Sequence, residues 1–338
     1  MATASITNPV YTTNLIKANG TKYRLKDVTT DMVVSSPKNQ LAGKVTLSLV
    51  NVKVGTSYLH SLIALKDKVY VYANTGEGAK EVFRGFVWER KVTRNADGYN
   101  LHLVCYDRLA YFHNCKDNLF VKKGKKTKDV LTSLAKKWGF KISFNYESIS
   151  HKKLVYHNES IADIFISILD AVKKKTGKKY AVRMEKDVII IETVGLNKAI
   201  YQVHNKANAL ASEYRQTMDG LVTKVQIVKA ETVKKKETGK YLTVTNVKKN
   251  TDKYGTLQEI MVKGRDDKLS EVKKEAKELL KEKATPKTEF DVTAVDIPWV
   301  QKGHKVHIQS GNLNNYYIVE GIEHDVKEHV MQLEVSKA

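Results

Sequence analysis

Several things are scarce in this sequence, and each shortage narrows the reading. Among 338 residues there are two cysteines and four prolines. Cys105 and Cys115 stand ten apart and form no C-x-x-C pair. They predict two free thiols, not a disulfide framework or a zinc site. No apolar run approaches the ~20 residues that cross a bilayer. Met1-Ala2-Thr3-Ala4-Ser5-Ile6 lacks a basic segment followed by an apolar one, so no secretory signal and cytoplasmic synthesis are expected. The chain holds no P-loop, no G-x-G-x-x-G after a strand, no H-E-x-x-H and no G-x-S-x-G. Gly76-Glu77-Gly78-Ala79-Lys80 is Gly-rich but falls in a hairpin loop, not before a helix, and reads as a turn.

Acidic residues are the scarcer charge, 37 against 58 basic, which leaves a formal net charge of +21. The excess is densest over 119–199, where 18 basic residues face 8 acidic ones. A basic surface attracts nucleic acid or an acidic partner. Here the charge is nearly all lysine, in runs such as Lys122-Lys123, Lys125-Lys126, Lys173-Lys174-Lys175 and Lys178-Lys179. Arginines and aromatics that read or stack bases are few among them. Solvated faces are therefore the first reading, and nucleic-acid binding is disfavoured.

What the chain does have is alternation. Val300 to Val335 looks like a second copy of a stretch near the start. Lys305-Val306-His307-Ile308, Tyr317 to Glu323 around Gly321, and Val330 to Val335 follow one another as strands. Val69-Tyr70-Val71, Val82 to Val87 around Gly85, and Tyr99 to Val104 do the same. Period-two alternation is the pattern of a half-buried strand, and a Gly inside one marks a bulge or bend. Gly85 and Gly321 are expected at equivalent bends. Gly43 to Val50 predicts a further strand with Val45, Leu47 and Leu49 on one face. Asn74 to Gly78 and Asn95-Ala96-Asp97-Gly98 predict hairpin loops.

The middle changes character. Lys128 to Trp138 predicts a helix capped by Thr127 and ended by Gly139. Ser160 to Lys175 predicts another, with Ile161, Ile164, Phe165, Ile168, Leu169 and Val172 on one face, Ser160 as cap and Gly177 after its end. Tyr180 to Met184 and Val188 to Glu192 predict a hairpin turning at Glu185-Lys186-Asp187. Leu221 to Val228, Tyr241 to Val247 and Tyr254 to Val262 predict strands, the first two flanking a polar loop at Lys234 to Gly239. Ser270 to Lys283 predicts a helix capped by Ser270 and halted by Pro286. The fold class is therefore mainly β with an α+β insert: two small antiparallel barrel-like domains flanking a small α/β module. The expected divisions are 1–118, 119–199 and 200–338.

Candidate chemistry is thin. His304, His307, His324 and His329 lie close in sequence but lack ligand spacing, so no metal site is assigned. Glu89, Asp107 and Glu213 are carboxylates without distinguishing context, and Asp107-Arg108 reads as an ion pair or turn. No catalytic residue and no cofactor is assigned.

The ordered pieces resemble a known family. Phe83-Arg84-Gly85-Phe86-Val87, Cys105-Tyr106-Asp107-Arg108-Leu109, Lys137-Trp138-Gly139-Phe140, Tyr254 to Glu259, the helix from Ser270 and the terminal unit from Gly303 follow one another in the family's order. The chain resembles the XkdQ/YqbQ-type baseplate hub proteins of PBSX-type prophages and contractile tail-like bacteriocins, relatives of the late control protein D family. The resemblance implies a non-enzymatic hub that joins a hexameric tail tube to a trimeric spike. It implies a homotrimer, and partners in the tube, the spike and the baseplate wedge or LysM-type tail proteins, in a phage tail or tail-like particle with no membrane partner. A tail-associated peptidoglycan hydrolase and a nucleic-acid-binding protein stay as alternatives.

Overall fold

The computed structural model describes residues 8–95, 98–233, 236–265 and 267–338. Met1 to Ile6, Ala96-Asp97 of the expected hairpin loop and Lys234-Lys235 of the expected polar loop lie outside them. The chain forms two compact units: residues 1–213 with 291–338, and residues 214–290.

The first unit contains a β lobe built early in the chain. In spatial order its strands are Thr29–Ser36, Lys44–Val50, Gly98–Tyr106, Lys80–Asn95, Lys68–Asn74 and Val10–Ile16, all antiparallel. Alternate residues bury against one another, among them Leu15, Val45, Leu47, Leu49, Val69 and Leu103. The Val45, Leu47 and Leu49 face is the one expected from the alternation. Val10–Ile16 and Thr29–Ser36 had no prediction.

A second lobe repeats the plan. Its order is Ala209–Thr217, Lys287–Val295, Val330–Lys337, Leu313–Asp325, Lys305–Ser310 and Tyr201–His204. Numbered by appearance in the chain, the two orders are the same. The bulges coincide as well. The register slips between Val87 and Glu89 opposite Cys105 and Val104, and between Val319 and Gly321 opposite Val335 and Glu334. In both lobes a residue of positive φ enters the first strand of the meander, Lys66 at 68° and Gly303 at 90°. Its N–H donates to the carbonyl of Val87 or Val319.

Three expectations about the lobes need correction. The lobes are not separate closed barrels. Ile322–Asp325 at the end of the long second-lobe strand pairs with Val33–Ser36 of the first lobe, so both lobes share one open 13-stranded sheet. The second lobe is not wholly antiparallel, because Tyr201–His204 runs parallel to Val306–Gln309. Gly85 and Gly321 are not equivalent either. Aligned on the bulge, Gly85 matches Tyr317 and Gly321 matches Glu89. Gly85 has a local cause: a Cβ there would lie 2.2 Å from the Tyr106 carbonyl oxygen.

An α/β module sits between the lobes in sequence and belongs to the same unit. Helices Thr127–Lys137 and Ile161–Thr176 share a core with the sheet Lys141–Asn145, Val188–Thr193 and Tyr180–Glu185. The second helix follows its sequence signals. The Ser160 Oγ accepts from the Asp163 N–H at 3.0 Å, and Gly177 takes the left-handed φ of 76°. Its predicted apolar face is buried throughout. The first helix differs at its start: Lys126 is the cap residue and Thr127 the first helical one. The Thr127 hydroxyl binds the backbone of Ile149 and the His151 ring instead.

The second unit is a three-stranded sheet ordered Lys236–Lys248, Lys224–Val233, Gln258–Val262, with helix Leu269–Lys283 on it. Val225 and Ile227 bury against Val272, Ala276 and Leu280. The helix begins one residue before Ser270, which is therefore not its cap. Tyr254 closes a short helical turn, and Gly255 at φ 77° separates it from the strand, which starts only at Gln258.

Candidate functional site

The feature that organises the first unit is the seam between its lobes. Long-range polar groups hold it closed. The Tyr11 hydroxyl of the first lobe donates to Asp296 Oδ2 at 2.6 Å, and His324 Nδ1 lies 2.6 Å from Asp296 Oδ1. All three are buried. Burial and the adjacent carboxylate push the Tyr11 phenol far above its ordinary value, so it stays a donor.

A second clasp is Lys302. Its ammonium donates to the carbonyls of Pro37, Lys38 and Gln40 at 2.8, 2.8 and 2.9 Å. Three acceptors match its three N–H bonds. Burial lowers its pKa to about 8, which leaves it charged at neutral pH. The same region encloses a cavity of about 70 Å³ whose lining includes Tyr11, Arg84, Asp107, Arg183, Lys302 and His324. Both arginines already have carboxylate partners, Arg84 with Glu81 and Asp187, Arg183 with Glu185 and Glu192. The site is a polar joint between elements.

Asp107 is the most perturbed carboxylate here. Burial raises its pKa to about 7, against two backbone hydrogen bonds that oppose the shift. Its Oδ2 accepts from Gly43 N–H and its Oδ1 from Leu109 N–H, both at 2.8 Å. It organises a turn, the second of the two structural roles expected of Asp107-Arg108. Arg108 stacks on Phe140 at 4.4 Å and donates to the Gly139 carbonyl.

The four histidines serve separate places. His304 stacks on Tyr201, His307 packs on Tyr316 across the strand pair, His324 joins Asp296, and His329 occupies a turn at φ 54°. Among the described residues no three His, Cys, Asp or Glu are grouped to hold a metal. Glu89 and Glu213 stand exposed on strands of different lobes. Cys105 is buried and Cys115 partly so, both as free thiols.

The lysine runs lie mostly exposed, as solvated faces should. Several have carboxylate partners: Lys137 with Asp117, Lys178 with Glu147, and Lys179 with Glu320 at 2.6 Å. Sequence reading missed the partners of Lys302 and Tyr11, which lie over 260 residues away.

Among the described residues no helix is long and apolar enough to cross a membrane. No curated protein matches the chain. Solved structures do match. A tail protein from Neisseria meningitidis MC58 superposes with a TM-score of 0.68 at 13% identity, over 96% of each chain. The 43 kDa tail protein of prophage MuSo2 from Shewanella oneidensis gives 0.70 at 12% identity, over 97% of this chain and 98% of that one. The prophage tail protein gp18 from Listeria monocytogenes gives 0.54 at 11%, over 96% and 95%. These likenesses establish the fold. The YQBQ-like family model matches residues 32–336, nearly the whole chain, and the chain belongs to that family.

Proposed function

We propose that this protein is a structural baseplate hub of a contractile phage tail or tail-like particle, joining a six-fold tube to a three-fold spike. The observation that carries the reading is the repeated lobe. One chain presents the same strand order and the same bulge twice. A three-fold assembly of such chains offers six similar lobes to a six-fold partner, and closed cyclic symmetry is the ordinary solution. The protein is read as non-catalytic, made in the cytoplasm and built into the particle as a homotrimer. Its partners are the tube, spike and wedge or LysM-type proteins. The α/β module and residues 214–290 are the parts free to meet the wedge.

Copy number tests this. Purified tails, quantified by isotope-labelled peptide standards against the tube protein, should contain three copies per tail end. Six or two copies, or absence from the tail fraction, overturns the reading. Zymography on peptidoglycan should show no clearing by the purified chain.

A further inference from the structure

The repeat of the lobes makes the seam between them a template. In the second lobe, the end of the long strand, Ile322–Asp325, receives the first lobe's Val33–Ser36 along one edge. Along its other edge it pairs with Val330–Leu333. The bulge alignment places Arg90–Thr93 at the same position in the first lobe. Among the described residues that stretch pairs with Asn100–Leu103 on one side only. The strand corresponding to Thr29–Ser36 is Ala209–Thr217, the outermost of the second lobe.

Burial follows the same comparison. Ile322 and His324 are buried in the seam, and so are Met32 and Val34. Their counterparts are open. From Trp88 to Val92 five successive residues are exposed, after a stretch that alternates from Val82 to Val87. Leu210 to Glu213 are likewise exposed without a break, with Leu210 at 59%. A long strand that loses its alternation midway has lost a covering layer. An unpaired edge beside it is a template for another chain.

We infer that Arg90–Thr93 of one copy takes the Ala209–Thr217 strand of a second copy by antiparallel strand addition, repeating between chains the seam that exists within each chain. Every lobe then gives one edge and receives one, so lobes alternate around a closed ring. The inference rests on the hub reading for the ring's size, but the pairing itself is read from the duplicated sheet.

Cysteine cross-linking in assembled tails tests it. Thr93→Cys combined with Ala211→Cys or Glu213→Cys, oxidised with copper phenanthroline, should give covalent ladders ending at three chains with at least one pair. Each single substitution should give none. Ser35→Cys with Glu323→Cys, which face each other within one chain, should close without change of mass. Tails that contain the protein, form the internal control and expose maleimide-reactive thiols at 93 and 211 or 213, yet yield no interchain species, overturn the pairing and leave the hub reading standing. Absence of the protein from tails overturns both.

Discussion

Replacing Gly85 by alanine probes the point where the long strand of the first lobe passes from one neighbouring strand to the next. An added Cβ would lie 2.2 Å from the Tyr106 carbonyl oxygen and 2.6 Å from both its carbonyl carbon and Phe83 Cζ. Two of these atoms are backbone, held where Phe86 pairs with Tyr106 at the end of the ladder. They can move only if the strand ends separate. Overpacking a rigid site costs ~1–3 kcal/mol, and a clash with backbone belongs at or above the top of that range. At ~2–4 °C per kcal/mol, G85A should melt ~6–12 °C below the parent. Gly321 is the internal comparison. Its added Cβ would meet Glu334 Oε1 and the Lys38 backbone nitrogen, both at 3.0 Å; the first is the end of a flexible side chain, and the second needs a shift of only a few tenths of an ångström. Alanine also narrows the unfolded ensemble, a gain of ~0.4–1 kcal/mol that offsets a small clash. G321A should melt within ~3 °C of the parent. Differential scanning fluorimetry of both variants decides the matter. A G85A melting point within 2–3 °C of the parent, or a larger loss in G321A, refutes the reasoning.

Asp107→Asn keeps the shape but leaves one of the Gly43 and Leu109 N–H groups facing an amide NH2, and should cost ~1–3 kcal/mol in urea unfolding. Because burial raises the Asp107 pKa to about 7, its contribution is fully present below the ordinary carboxylate range and is lost as pH rises through about 7. The parent's stability should therefore fall across that window for this group, and the variant's pH dependence should be flatter; parallel profiles contradict the assignment. Residues 214–290 expressed alone should fold and melt cooperatively by circular dichroism, because Val225, Ile227, Val272, Ala276 and Leu280 make a core of their own. A random-coil spectrum would show that this core needs the rest of the chain.

Much of the fold was legible in the sequence where one face of an element is buried. Val45-Thr46-Leu47-Ser48-Leu49 alternates because the sheet covers one side only. The helix Ile161–Thr176 carried both its cap and its left-handed stop in the sequence. The illegible strands were those with little buried contrast: Ala209–Thr217 is exposed through nearly its whole length, so no period marks it. The barrel expectation failed because nothing in Ile322–Asp325 says that its second edge is taken by a strand almost 290 residues earlier. The Gly85 and Gly321 equivalence failed because spacing along a strand does not count a bulged residue. The polar joint of Tyr11, Asp296 and His324 was invisible for the same reason of distance: each is an ordinary residue locally and becomes a network only when two lobes close.

The exposed stretch after Val87 also bears on how such a chain survives before it is assembled. A bare strand edge invites indiscriminate pairing, and Trp88 and Val92 alone would make this one sticky. Between them stand Glu89, Arg90 and Lys91, three charged side chains in a row. Charges on an open edge tolerate a partner that can accommodate them and penalise a random flat strand. The net charge of +21 adds general repulsion between free copies. The chain thus carries a surface ready to polymerise together with the means to delay it, and the salt concentration at which free protein begins to aggregate measures the balance between them.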